Sequence, residues 1–147
     1  GDTVSISMDL REYRGEEYRD TLQVTIPSDT PAGRYYLFLG DGASVDALRL
    51  QMEPNTPTTF RESLDLLRSL HSTRDFVVLG VTSGAGLLVE GRSLPELPAS
   101  IRSIWKASGP LASKPLHLSI RQESVEPLSR PLSGAARIDL RVRLRID

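Results

Sequence analysis

Cysteine is absent from this chain, and histidine nearly so, His71 and His117 being the only two. The first absence excludes disulfides, iron–sulfur clusters and thiolate chemistry. The second leaves little for a histidine metal centre, since neither residue lies in an H-x-x-x-H or H-E-x-x-H spacing. Lysine is scarce too: Lys106 and Lys114 are the only ones beside sixteen arginines. Ser83-Gly84-Ala85-Gly86 is therefore not followed by the lysine a phosphate-binding loop needs, and it reads as a hairpin bend. A G-x-S-x-G elbow is missing, because Gly80-Val81-Thr82-Ser83-Gly84 carries threonine at its centre. Long apolar runs are missing as well. Tyr35 to Leu39 and Phe76 to Leu79 are strand-sized, far short of the about 18 residues of a membrane helix, so membrane insertion is not expected. Eighteen basic residues against nineteen acidic give a net charge of -1, which excludes a general polyanion signal, and nucleic acid is not an expected partner.

What remains is ordinary globular material, 147 residues with 39% hydrophobic side chains, enough for a core without metal or disulfide support. A chain that starts at Gly1 is expected to be a processed product or a piece of something longer. Thr3 to Leu10 alternates strictly, with Val4, Ile6, Met8 and Leu10 on one side, as a half-buried strand requires. The polar run Glu12 to Asp20 predicts a connection, and Leu22, Val24 and Ile26 resume the alternation. The turn formers Ser28 to Gly33 lead into Arg34 to Leu39, apolar on both faces. Ser44 is expected to cap a short helix carrying Val45, Leu48 and Met52. Thr58 or Thr59 caps a second, in which Phe60, Leu64, Leu67 and Leu70 form one apolar stripe that must pack on something. Phe76 to Val81 predicts another covered strand, broken at Ser83, with Leu87 to Val89 as a short partner. Pro95 and Pro98 frame a third helix through Ile101, Ile104 and Trp105. Leu116 to Ile120 and Ile138 to Ile146 return to period two.

These elements predict an α+β fold: one domain over 1-147, with an antiparallel, sandwich-like (immunoglobulin-like) strand core from 1-42 and 110-147. A mixed helix and strand insertion over 43-109 packs on it. The arginine stripe Arg137, Arg141, Arg143 and Arg145 reads as the solvated outer face of a strand, interrupted by Asp139, with acidic groups such as Asp9 as expected partners.

Candidate chemistry is thin. His71 sits where a helix C-terminus favours a cation and His117 on the polar side of a strand; both read as structural. A small hydrolase using Ser83 with His71 or His117 is one alternative, and an envelope-carbohydrate-binding module using Trp105 and the tyrosines is another. Catalytic residues, metal ligands and cofactors are not expected. Binding is expected at exposed tips, at Tyr13, Tyr18, Arg34 and Asp41, because tyrosine and arginine are enriched at binding hot spots.

Three stretches carry a resemblance: Gly1-Asp2-Thr3-Val4; Ile26-Pro27-Ser28-Asp29-Thr30-Pro31-Ala32-Gly33-Arg34-Tyr35 running on to Leu39-Gly40-Asp41-Gly42-Ala43-Ser44; and Leu94-Pro95-Glu96-Leu97-Pro98-Ala99-Ser100. Their order resembles the region C-terminal to the protease domain in exported bacterial proteins that contain a SpoIVB peptidase domain. The resemblance implies an extracytoplasmic (periplasmic or secreted), non-catalytic binding or structural module, accessory to a larger protein and attached to a serine-protease domain. The implied partner is a neighbouring domain of the parent polypeptide or another protein. A homodimer through an exposed strand edge is a further expectation.

Overall fold

A computed structural model describes residues 1–52, 57–89, 92–94, 98, 100 and 113–143. The chain divides into two compact units, Gly1–Thr30 and Pro31–Asp147. Its described elements are mostly antiparallel strands with two α-helices, an α+β composition.

The first unit is a hairpin. β1 (Thr3–Arg11) pairs antiparallel with β2 (Glu17–Thr25) in continuous register from Thr3 opposite Thr25 to Arg11 opposite Glu17. Alternation puts Ile6 and Val24 on the buried side, while the polar side closes with Ser5 donating to Gln23 and Arg19 to Asp9. The second strand begins earlier than hydrophobicity suggests. Glu17 and Arg19 stand opposite Arg11 and Asp9, and these opposite charges carry the ladder into the polar run. The turn shrinks to residues 12–16, closed by the Gly15 N–H on the Glu12 carbonyl at 3.1 Å, with Arg14 at φ 59°.

The second unit contains β3 (Gly33–Asp41), α1 (Gly42–Met52), α2 (Phe60–Arg68), β4 (Asp75–Val89), β5 (Arg92–Leu94), β6 (Ser113–Pro127) and β7 (Ala135–Val142). These five strands form one sheet. β6 runs along one side of β4; β3 and β5 share the other, and β7 lies outside β3. The expected pairing of an early strand with the last one is present in β3 and β7. However, β1 and β2 form a sheet of their own, and the central strand of the larger sheet is β4, from the segment expected to be an insertion. Its run Phe76–Val81 is buried on both faces, as a central strand requires.

Two local expectations are corrected. Ser83–Gly86 is not a hairpin bend: β4 continues for 15 residues, and the glycine-rich stretch absorbs a register shift against β6 instead of reversing the chain. Gly84 is needed there because a Cβ would collide with the Ser119 hydroxyl. Nor does Ser44 cap α1; Asp41, the last residue of β3, accepts the Ser44 N–H at 2.9 Å and the Ser44 hydroxyl at 2.7 Å. The core joins Val45 of α1 to Val77, Leu79 and Val81 of β4, with Tyr36, Phe38, Met52, Leu118 and Ile120 packed around them. The helix expected through Ile101 and Trp105, and the end of the last strand beyond Arg143, lie outside the described residues.

Candidate functional site

Among the described residues, a dense group of ionisable side chains lies where α1, the segment after α2 and β6 meet. Asp46 projects from α1, and its carboxylate grips His71 twice, accepting the backbone N–H at 2.6 Å and meeting ring Nδ1 at 2.8 Å. The other ring nitrogen, Nε2, lies 3.0 Å from Glu123 of β6. Arg49, one turn along α1, reaches Asp46 at 3.3 Å and Glu123 at 3.6 Å, and donates to the Ser69 carbonyl at 2.8 Å. Asp46 is buried, and His71 and Arg49 are largely covered. Both ring nitrogens of His71 are thus engaged by carboxylates, leaving neither to activate a serine. Each side chain of the group is held by another, so its evident work is mechanical: it ties the end of α2 to α1 and the sheet. Among the described residues no grouping of His, Asp and Glu could hold a metal ion, and no helix is long and apolar enough to cross a membrane.

The four residues expected to bind divide between the two units, Tyr13 and Tyr18 in the first and Arg34 and Asp41 in the second, where the latter two stand at opposite ends of β3. Tyr13 occupies the hairpin turn, 89% exposed, with the Arg14 guanidinium 5.2 Å from its ring centre. Tyr18, 51% exposed, stands opposite Leu10 at the start of β2. Arg34 is exposed near the start of β3, opposite Arg141. Asp41 lies at the far end of that strand, seven residues on or about 23 Å away, and is not an exposed tip. It is buried, holding the start of α1 and accepting the Gly134 N–H at 2.9 Å. A short acidic side chain between two glycines reads equally as tip or cap, and the residue three positions on, whose N–H it accepts, distinguishes the two. Burial pushes the Asp41 carboxyl up, but hydrogen bonds from Ser44, Gly134 and Ala43 outweigh it and hold the group below its ordinary value.

Ser83 and His117 are both exposed, on β4 and β6, and Trp105 lies outside the described residues. Within the hairpin Asp9 is engaged by Arg19 at 2.7 Å, and in the larger unit Arg137 pairs with Asp139 on its own strand at 2.9 Å; Arg145 lies outside the described residues.

The feature sequence reasoning misjudged is α2. Its start is fixed by a full capping box: the Thr59 hydroxyl accepts the Glu62 N–H, while the Glu62 carboxylate accepts from Thr59 and Thr58. Hydrogen bonds from the Thr58 backbone and hydroxyl and the Thr59 backbone hold the Glu62 carboxyl below its ordinary value. Its far end is pinned through Arg49 and His71. Yet most of the apolar stripe expected to pack is open: Leu64 is half-buried, but Phe60 is 80%, Leu67 63% and Leu70 41% exposed, and no residue of the helix is buried.

No protein-family model, curated protein or solved structure matches this chain.

Proposed function

We propose that this chain is a non-catalytic binding or structural module, accessory to a larger extracytoplasmic protein and attached to a serine-protease domain. The observation that carries the reading is α2, a helix capped at one end and anchored at the other that presents Phe60 and Leu67 to solvent, with Leu70 exposed just past its end. Large apolar side chains left exposed on a capped and anchored helix are what a docking partner covers. The occupant we assign is the neighbouring domain of the parent polypeptide, in keeping with the resemblance; Tyr13 and Tyr18 offer a second, amphipathic contact on the hairpin. What supports the finer fold expectation, an immunoglobulin-like sandwich, is the strict alternation of β1 and the antiparallel pairing of β3 with β7.

Titration calorimetry of the 147-residue chain against the protease-bearing remainder of its parent tests this. Binding that Phe60→Glu and Leu67→Glu each weaken at least tenfold is the expected result. Absence of binding, or binding indifferent to both substitutions, overturns it.

A further inference from the structure

We propose that β7 joins its counterpart in a second copy of this chain, antiparallel across a two-fold axis at Ile138. This goes beyond the accessory-module reading and does not depend on it. Among the described residues β7 pairs only with β3, and no described strand pairs along its other edge, which there presents a row of backbone donors and acceptors. Such an edge is a template for another strand unless something blunts it. The opposite long edge of the sheet is blunted: β6 contains Pro115 and Pro127 and slips register beside the Gly80/Val81 step. β7, Ala-Ala-Arg-Ile-Asp-Leu-Arg-Val, has neither device.

Its charges choose the partner. On one face of β7 lie Arg137, Asp139 and Arg141, all exposed; on the other lie Ile138, Leu140 and Val142, half-buried. When two copies continue one sheet across a two-fold axis normal to it, residues directly opposite share a face, so the axis must pass through a residue. Centred on Arg137 or Asp139, the pairing puts two like charges together on the axis. Centred on Leu140, it matches Asp139 with Arg141 but sets Arg137 against Arg143. Centred on Ile138, Arg137 of each copy faces Asp139 of the other, Arg141 faces Ala135, and Ile138 meets itself beside Ala136–Leu140 pairs. Only this register has complementary charges, no like pair, and an apolar opposite face. The Arg137–Asp139 contact along the strand, at 2.9 Å between 59% exposed side chains, is the pair that would exchange across the axis.

The test is sedimentation velocity of the 147-residue chain at rising concentration, with thermal melts confirming that each variant stays folded. The parent is expected to move from 16.2 kDa toward twice that mass. Arg137→Asp and Asp139→Arg should each weaken self-association about tenfold or more, because two opposite-charge pairs become like-charge pairs. Mixing the two variants should restore dimers, since each then supplies what the other lacks. In a chain with no native cysteine, Ile138→Cys should form a disulfide-linked dimer on oxidation and Ala136→Cys should not. A parent that stays monomeric at millimolar concentration, variants that dimerise undiminished, a mixture that fails to associate, or equal cross-linking at 136 and 138 would each overturn the proposal.

Discussion

Asp41 and Gly134 bind each other twice across 93 residues of sequence: the Gly134 N–H donates to the Asp41 carboxylate at 2.9 Å, and the Asp41 N–H donates to the Gly134 carbonyl at 3.1 Å. Gly134 can close this clamp because it sits at φ +118°, where a side chain would be strained. The same carboxylate starts α1. One side chain therefore fixes the strand-to-helix junction and the entry to β7 together.

Asp41→Ala should consequently cost about 1–3 kcal/mol, combining a lost helix cap with the part-buried Ser44 and Gly134 N–H groups losing their acceptor. The pH dependence follows from the direction of the shift. A carboxyl held lower in the folded than in the unfolded chain adds stability that is complete above the unfolded value near pH 4, and that fades as the pH falls through the folded one. Urea midpoints should thus drop on acidification below about pH 5, and drop less steeply in Asp41→Asn. Parallel profiles for the two proteins would show that Asp41 does not carry the effect.

Tyr35 fills the space left by the missing side chain of Gly80. A Cβ there would lie 2.7 Å from the Tyr35 ring carbon bearing the hydroxyl and 3.2 Å from the Gln122 Cβ, and Tyr35 is fully buried, its hydroxyl donating to Gln122 at 3.2 Å. Gly80→Ala should destabilise by about 1–3 kcal/mol through overpacking. A double-mutant cycle with Tyr35→Phe should show coupling, the alanine costing less once the hydroxyl is gone. Additive effects would mean that the ring and the glycine do not oppose each other.

The Asp46–His71–Arg49–Glu123 group should respond unequally to its acids. Asp46 is buried and answers three groups, so Asp46→Ala strands a cation and a ring nitrogen and should cost about 3–5 kcal/mol. Glu123, 31% exposed, can yield its place to water, and Glu123→Gln should cost about 1 kcal/mol or less. Chemical denaturation of both variants checks the order, and equal losses would contradict the mechanical role assigned to Asp46.

Much of this architecture was legible because its residues announce themselves locally. Alternation in Thr3–Leu10, the apolar run Phe76–Val81 and a threonine cap at Thr58 or Thr59 each follow from short-range geometry, and the structure has those elements, with Thr59 as the cap. What was not legible depends on partners far along the chain. β4 could be recognised as covered but not as central, because centrality is set by β6 and β3 lying on its two sides. Gly84 reads as a bend until Ser119 is known to press against it. Asp46 and Glu123 carry no motif at all; the approach of His71 and Arg49 joins them.

An apolar stripe on a helix ordinarily means packing, and α2 defies that expectation, so its exposure has a direct consequence for stability. Phe60, at the first helical position and 80% exposed, loses little burial on substitution, while an acidic residue there favours the positive end of the helix dipole. Phe60→Glu should leave unfolding stability within about 0.5 kcal/mol of the parent, or raise it slightly. Leu67→Ser, 63% exposed near the other end, should likewise cost under about 1 kcal/mol. The same substitutions in Val77, which is fully buried, should prevent folding. Urea titration at two protein concentrations distinguishes the cases. A loss above about 2 kcal/mol for Phe60→Glu would mean that the stripe is covered in the isolated chain, and the docking role of α2 would then fall.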